Sequence, residues 1–329
     1  MQHRRNLLLA GTALVIANLV VPAAAQTSAP YPNKPIKFIV PYAPGGFPDT
    51  VARVYALHLT ERLRQSVVID NRPGANGVVA AQALAASPKD GYTFLVTDGS
   101  MFSINPAVYK NLGYDYKRDF APVYLAARAA LYLALNPKVP ANNLQEFIAL
   151  AKSRPGELNF GSSGVGTNTH LSGELFNQVA GTKMVHIPYK GSGPVSTDLL
   201  AGRLQLSFQS PITVISFINA GRLRAIAVSG ETRLPALPQT PTYAEVGLPN
   251  FGLTSVTGIV APAKTPRAIL GKIASDLAVI LALPATHEFM TKQGAEPFIS
   301  TPEQTTAVIK EEVARYTKII KGAGITHQP

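Results

Sequence analysis

The sequence predicts an α/β protein of two lobes, and three observations support this prediction. Short β-branched runs alternate with helical segments in two successive blocks, which is the pattern of helices layered on a mostly parallel sheet. Each block contains a glycine-rich turn between a strand and a helix, and we name these the first glycine turn (residues 43–46) and the second glycine turn (residues 161–167). Two long β-type runs, residues 123–135 and 253–260, can carry the chain from one lobe to the other and back. A cleft between the lobes is therefore expected.

The first block begins with a strand that leads into the first glycine turn. Residues 36–40 are apolar and β-branched, and prolines end the strand. Gly45 and Gly46 permit positive φ or a close approach of ligand to backbone. A helix is predicted over residues 50–64, and its unpaired amides and positive dipole end favour an anion above the turn.

The rest of the first block continues the alternation. Strands are predicted at residues 67–70 and 93–97, with a helix at residues 78–86 between them. Residues 99–106 form a predicted polar loop directly after a strand. Because ligands bind at the carboxyl ends of strands in open α/β sheets, this loop is a candidate part of the site.

The second block repeats the pattern around the second glycine turn. Thr167 or Asn168 can cap the helix that follows the turn. We expect residues 26–127 together with 256–329 to form one lobe, and residues 128–255 to form the other. The remaining predicted elements are helices at residues 144–153, 194–201, 211–220, 267–283, 284–293 and 302–323, strands at residues 158–161, 204–208 and 223–228, and a strand with a loop at its end over residues 185–191.

The N-terminal segment has the three parts of an export signal. Basic residues precede an apolar centre at residues 7–21, and Ala23-Ala24-Ala25 fits an A-x-A cleavage site. We expect residues 1–25 to be a signal peptide, cleaved near Ala25 from a soluble exported protein. The chain contains no cysteine, which excludes disulfides, thiolate metal sites and a cysteine nucleophile.

Charge and motifs exclude several classes of function. The formal net charge is +11, but the basic residues are scattered, so a solvated basic surface is favoured over a nucleic-acid partner. No H-E-x-x-H or phosphate-loop motif occurs, and no metal or cofactor is expected. The remaining alternatives are a binding protein and an exported hydrolase with a Ser/His pair. Gly161-Ser-Ser-Gly164 does not fit the G-x-S-x-G elbow, so an enzyme is not favoured.

Short motifs in a fixed order span nearly the whole chain after the signal. They are Tyr31-Pro-x-Lys-Pro-Ile, Pro41-Tyr-Ala-Pro-Gly-Gly46 with Asp49 and Ala52-Arg53, Asp70-Asn-Arg-Pro-Gly-Ala75, Pro88-x-Asp-Gly-Tyr-Thr93, Phe160-Gly-Ser-Ser-Gly164 with His170-Leu171, His186-Ile-Pro-Tyr-Lys-Gly191 and Ala261-Pro262. This ordered set resembles the Bug family, the TctC-like periplasmic receptors of the tripartite tricarboxylate transporter system.

The resemblance implies a type II periplasmic-binding-protein fold, with two α/β lobes joined by a two-strand hinge and a ligand cleft between them. It implies an extracytoplasmic solute-binding protein that closes over a small carboxylate, namely a di- or tricarboxylate, an amino acid or an aromatic acid. It also implies a periplasmic monomer that delivers its ligand to the membrane permease subunits of a tripartite tricarboxylate transporter.

The glycine turns and the resemblance together give a set of expected ligand-binding residues. Within this set, His170 is expected to prop the second glycine turn, and Asp49 is expected to complement a helix dipole. Phe47 and Phe102 could add an apolar wall, while Gln209 stands where many family members have a carboxylate. The expected set is Tyr42, Ala43, Gly45, Gly46, Phe47, Asp49, Ser100, Met101, Ser162, Ser163, Gly166, Thr167, His170, Tyr189, Gly191, Gln209 and Ser210.

Overall fold

The computed structural model describes most of the chain after the predicted signal peptide. The predicted signal peptide and its cleavage site lie outside the described residues. The described residues are 30–230, 232–249, 251–292, 295–297 and 300–322.

Strands in this part of the chain form two sheets. In chain order they are β1 (Ile36–Val40), β2 (Val67–Asn71), β3 (Thr93–Asp98), β4 (Phe120–Ala130), β5 (Tyr132–Leu135), β6 (Asn159–Ser162), β7 (Val185–Pro188), β8 (Leu206–Gln209), β9 (Arg224–Val228), β10 (Thr254–Pro262) and β11 (Ala295–Pro297).

Helices connect the strands and cover both sheets. In chain order they are α1 (Phe47–Leu63), α2 (Val78–Ala85), α3 (Ser100–Ser103), α4 (Asn105–Val108), α5 (Tyr116–Asp119), α6 (Leu144–Ser153), α7 (Asn168–Ala180), α8 (Ser192–Ala201), α9 (Pro211–Asn219), α10 (Arg267–Ala282), α11 (Pro284–Lys292) and α12 (Pro302–Gly322). Among the described helices, none alone is long and apolar enough to span a membrane; α10 and α11 pass that test only as a pair bent by 73°.

Each sheet combines a parallel part with antiparallel strands. The first sheet has the order β11-β4-β10-β3-β1-β2, in which β1 is parallel to β2 and β3, and β10 is antiparallel to β3 and β4. The second has the order β7-β6-β8-β5-β9, in which β6 is parallel to β7 and β8. The carboxyl ends of the parallel strands therefore gather loops at one edge of each sheet.

The chain passes from one sheet to the other at two places, and Ser229 forms a hydrogen bond with each of them. The outward passage is at Leu131, between β4 and β5, and the return passage is at Leu253, before β10. The Leu131 amide donates to Ser229 Oγ at 2.8 Å, and that hydroxyl donates to the Leu253 carbonyl at 2.8 Å. The two long β-type runs are thus the predicted two-strand connection. The lobe boundaries at residues 127/128 and 255/256 stay a prediction.

Both sheets are packed on both faces, and the C-terminal helix contacts both lobes. Phe38, Val51 and Leu277 belong to one core of the first sheet, whereas Leu133 and Phe176 belong to one core of the second. Further along α12, Tyr316 and Ile320 join the core of the second sheet, and Tyr316 Oη donates to the Thr254 carbonyl at 3.1 Å. The same helix also packs against α3 and β4 beside the first sheet.

Local elements differ from the sequence prediction where buried apolar residues decide the structure. α1 begins at Phe47 rather than at residue 50, because the Phe47 side chain packs into the core directly after the extended Gly46. The predicted polar loop at residues 99–106 is the two single turns α3 and α4, since Met101 and Phe102 are buried in a core. The edge strand β11 was not expected.

Candidate functional site

A cavity of about 340 Å³ lies between loops of the two lobes. One side consists of loops that follow β1 and β2, together with the residue after α4, and the other side consists of loops that follow β6 and β7. These are the carboxyl ends of parallel strands in both sheets, where ligands bind in open α/β folds. The lining residues are Tyr42, Gly74, Ala75, Asn76, Tyr109, Ser163, Gly164, Val165, Pro188, Tyr189 and Lys190.

Hydrogen bonds join the two sides of the cavity directly. Each has a donor on a segment near the first sheet and a carbonyl acceptor on a segment near the second sheet. They run from the Ala43 amide to the Lys190 carbonyl at 3.0 Å, from Asn76 Nδ2 to the Gly166 carbonyl at 2.8 Å, and from Tyr109 Oη to the Val165 carbonyl at 3.3 Å.

The first glycine turn lies against the start of α8. A Cβ built on Gly46 would stand 3.9 Å from the Ser192 side chain, and one on Gly193 would stand 2.7 Å from the Pro44 carbonyl oxygen. A Cβ on Gly191 would stand 3.1 Å from the Ala43 nitrogen. The first glycine turn therefore meets the loop after β7 and the start of α8, whereas the second glycine turn meets Asn76 and Tyr109.

Most backbone amides of the second glycine turn donate hydrogen bonds to acceptors in or next to the turn. Its amide groups at Ser163, Gly164 and Gly166 donate to acceptors within residues 162–170. Buried amides need acceptors, and hydroxyl-rich turns supply them locally. These three amides are therefore not available to a ligand. Within the second glycine turn, the Val165 amide has no hydrogen-bond acceptor among the described residues.

Asp49 organises the first glycine turn from within the protein. Its carboxylate accepts hydrogen bonds from the Gly45 amide at 3.0 Å, from Arg53 Nε at 2.9 Å and from Asn71 Nδ2 at 2.9 Å. Burial alone would raise the pKa of Asp49, but the hydrogen bonds from Arg53, Asn71 and Gly45 lower it below the usual value. These donors occupy both carboxylate oxygens, so Asp49 shapes the turn and does not line the cavity.

His170 and His186 stack behind the second glycine turn. Their ring centroids are 3.9 Å apart, and His170 Nδ1 accepts a hydrogen bond from the Gly166 amide at 3.1 Å. Burial, together with the neighbouring His170, lowers the pKa of His186 to about 3, so the ring is neutral. The Gly166 contact matches the expectation that His170 props the turn.

Ser162 and His186 form a pair, but its surroundings do not suit catalysis. Ser162 Oγ lies 2.5 Å from His186 Nε2 and is also within hydrogen-bond distance of the Gly164 carbonyl. The Ser162 residue is fully buried, so no substrate can reach its hydroxyl. No acidic side chain pairs with His186 in the described part of the chain. The geometry gives no support to the hydrolase alternative.

Several expected site residues lie in cores instead of in the cavity. Phe47 and Phe102 do not form an apolar wall for a ligand, because each is buried in a core of the first lobe. Met101 is buried beside Phe102, and its sulfur accepts a hydrogen bond from Thr97 Oγ1. Gln209 is buried in β8, where its Oε1 accepts from Thr213 Oγ1 at 3.1 Å.

The other expected residues divide between the cavity and its supports. Ser210 is buried at the start of α9, and its carbonyl accepts from Thr213 Oγ1. Thr167 caps α7 by accepting from the His170 amide, and Ser100 Oγ donates to Asn76 Oδ1 at 3.3 Å. Of the expected set, the structure brings Tyr42, Ser163 and Tyr189 to the cavity wall.

Sequence reasoning missed the loop that follows β2. None of its residues is in the expected set, yet Gly74, Ala75 and Asn76 line the cavity. Ala75 and Asn76 have φ angles of 43° and 49°, a left-handed conformation that non-glycine residues seldom adopt outside special sites. The available signal was the position of this loop at the carboxyl end of a parallel strand beside β1.

The charge of the cavity wall is positive. Lys190 is the charged residue among the lining residues, and none of them is acidic. The Tyr189 hydroxyl donates to Asp198 at 2.7 Å, and burial together with Asp198 raises the pKa of Tyr189 to about 12, so it stays protonated. Among the described residues there is no group of three or more His, Asp or Glu side chains that could hold a metal ion. This wall suits an uncomplexed organic anion.

Comparisons with known proteins place these features in a family. The sequence model described as "Tripartite tricarboxylate transporter family receptor" matches residues 51–325. Protein BugT of Bordetella pertussis is 36% identical over 325 residues, an alignment that covers 98% of this chain and 99% of BugT.

Two solved structures superpose closely on this chain. An R. palustris protein solved with adipate has a TM-score of 0.88 at 35% sequence identity, and the match covers 91% of this chain and 100% of that protein. The periplasmic binding protein BugD has a TM-score of 0.87 at 32% identity, with 91% and 100% covered. These matches confirm the predicted two-lobed periplasmic-binding-protein fold, and the chain belongs to the TctC receptor family of tripartite tricarboxylate transporters, the family of the Bug periplasmic solute-binding proteins.

Proposed function

We propose that this chain captures a small carboxylate in the cavity between its lobes and delivers it to the membrane permease of a tripartite tricarboxylate transporter. The observation that carries the proposal is a cavity whose wall includes Lys190 and no acidic residue. The related R. palustris protein was solved with adipate, a dicarboxylate. A positive wall attracts an anionic ligand and disfavours a cationic one.

The ligand contacts that we propose are those that the cavity wall offers. The Ser163 hydroxyl and the Val165 amide are candidate donors, and Lys190 supplies the charge. Each charge-assisted hydrogen bond contributes about 1.5 to 3 kcal/mol when water is excluded. The first glycine turn acts mainly by meeting α8 when the lobes close.

Location and partners complete the proposal. The signal-like segment at residues 1–25 would direct export, and cleavage near Ala25 would release a periplasmic monomer. The closed, loaded form would then be the form that the permease subunits recognise.

A titration with matched ligands tests the proposal. The purified chain is screened by thermal shift and calorimetry against di- and tricarboxylates, amino acids and aromatic acids, with adipate included, and against the corresponding neutral amides. We expect stabilisation by one or more carboxylates and none by their amides. Stabilisation by neutral amides alone would reject an anion site.

A charge variant with a matched control locates the site. Lys190→Gln should weaken carboxylate binding about tenfold or more, because one charge-assisted contact is lost. Lys310→Gln, at an exposed position of α12 that is not among the lining residues, removes the same charge and should leave the affinity unchanged. Equal affinities of both variants and the unmodified protein would remove Lys190 from the site.

A further inference from the structure

We propose that Asn76 is a positioning residue that holds the second glycine turn against the first lobe, whether or not a ligand is present. The proposal concerns contacts between the lobes, so it stands independently of which ligand the cavity binds. Its basis is the position of Asn76 at the meeting point of a buried polar network and the second glycine turn.

Both polar atoms of the Asn76 side chain form hydrogen bonds. Its Oδ1 accepts a hydrogen bond from Tyr42 Oη at 2.8 Å, and its Nδ2 donates to Asn105 Oδ1 at 2.7 Å and to the Gly166 carbonyl at 2.8 Å. An asparagine amide has two N–H donors, and both are used here. Asn76 is only 6% exposed, so these bonds form in an environment with little competing water.

The rest of the network holds the Asn76 amide in one orientation. Asn105 Nδ2 donates to the Asn76 backbone carbonyl at 2.9 Å and to Tyr114 Oη at 3.2 Å, and Tyr114 in turn donates to the Met101 carbonyl. A reversed Asn76 amide would place its NH2 group toward the Tyr42 hydroxyl and its oxygen toward the Gly166 carbonyl oxygen. The second of these contacts would be repulsive, so the network assigns the donor to the side that faces Gly166.

Gly166 is held on both sides by side chains from different lobes. Its amide donates to His170 Nδ1 at 3.1 Å, and its carbonyl accepts from Asn76. Gly166 has a φ of 76°, which favours glycine, and a Cβ there would stand 3.5 Å from Asn76 Nδ2. Since Gly164 and Val165 precede it and line the cavity, the contact of Asn76 sets where this part of the cavity wall lies.

Loss of this contact has a defined consequence for lobe closure. A buried hydrogen bond between neutral groups corresponds to about a two- to tenfold change in an equilibrium constant. Without Asn76, the ratio of closed to open molecules should fall by that factor. The bond from Tyr109 Oη to Val165, at 3.3 Å, is longer and remains in place in such a variant.

The test measures the distance between the lobes without any ligand. The chain has no cysteine, so Leu57→Cys and Val179→Cys provide two unique labelling sites on exposed positions of α1 and α7. Spin labels at these sites report the distribution of distances between the lobes by pulsed electron–electron double resonance. Asn76→Gly, which keeps the left-handed backbone accessible, should move the distribution toward longer distances.

Two further variants make the result decisive. Tyr114→Phe removes a bond of the same network that does not cross the cleft, so it should lower thermal stability and leave the distance distribution unchanged. Asn76→Asp keeps oxygen acceptors for Tyr42 but removes the donor toward Gly166, so it should open the lobes as Asn76→Gly does. A distribution identical to that of the unmodified protein in folded Asn76→Gly or Asn76→Asp would overturn the proposal, as would an equal opening in Tyr114→Phe.

Discussion

Individual glycines decide how closely the two lobes approach. At Gly193 the space for a Cβ is occupied by the Pro44 carbonyl oxygen of the other lobe, at 2.7 Å. At Gly191 any side chain would be strained by the φ of 137°, and its Cβ would also stand 3.1 Å from the Ala43 nitrogen. Gly193 lies within α8, where alanine is otherwise a better helix former, so its substitution probes the contact between lobes without backbone strain.

Gly193→Ala should therefore weaken ligand binding without unfolding the protein. The methyl group would prevent the first glycine turn from meeting α8, and we expect at least a tenfold loss of affinity for a carboxylate that stabilises the unmodified chain. Gly271→Ala, in exposed space on α10, is the matched control and should stabilise by up to about 1 kcal/mol with unchanged affinity. Calorimetry measures both, and unaltered binding in Gly193→Ala would contradict a closed contact there.

His186 should make the stability of the protein depend on pH. Its folded-state pKa is about 3, whereas the unfolded chain has the ordinary value of about 6.5. Between these values the unfolded state binds more protons, so the stability contribution is complete above about pH 6.5 and is lost as the pH falls toward 3.

The pH prediction compares His186 with a residue that does not titrate. From about pH 7 to about pH 4, the free energy of unfolding should fall more steeply in the unmodified protein than in His186→Gln. Glutamine keeps an oxygen acceptor near Ser162. Urea unfolding at several pH values measures the two slopes, and parallel curves would show that His186 is not the group responsible.

At the scale of elements, local sequence signals specified most of the fold. The strand β1, the helix α6 and the helix α9 follow from apolar periodicity bounded by proline, glycine or a capping residue. The cap of α7 is of this kind, because Thr167 Oγ1 accepts from the His170 amide at 3.2 Å and donates to the Gly164 carbonyl at 2.7 Å. One side chain thus starts the helix and closes the second glycine turn.

Thr167→Ala should cost about 1 kcal/mol of stability, because the His170 amide in the first turn of α7 loses its acceptor. Thr167→Ser keeps the hydroxyl and should cost much less. Chemical denaturation of both variants gives the difference. If Thr167→Ala and Thr167→Ser had the same free energy of unfolding, the Thr167 hydroxyl could not be the helix cap.

Elements held by distant partners could not be read from local patterns. β11 is a three-residue strand that pairs antiparallel with β4, a strand more than 160 residues earlier in the chain. The single turns α3 and α4 depend on core contacts of Met101 and Phe102 with residues far along the chain. Such pairings are set by tertiary context, which overrides weak local preference.

At the scale of the whole molecule, the sequence predicted the two lobes and the edge at which they meet, but not the partners across the cleft. The carboxyl-end rule for parallel strands correctly brings loops of both sheets together around Tyr42, Ser163 and Tyr189. It does not say that Ala43 meets Lys190 or that Asn76 meets Gly166. Those pairings depend on the relative orientation of the lobes, which no local pattern encodes.

The central claim is that the two lobes close around one small carboxylate, and native mass spectrometry of the protein as purified tests it most directly. The account predicts a 1:1 complex from which denaturation releases a carboxylate, and a smaller fraction of ligand-bound protein when Gly193→Ala is purified in the same way. A released molecule that carries no acidic group, or the same occupancy in Gly193→Ala as in the unmodified chain, would contradict the account.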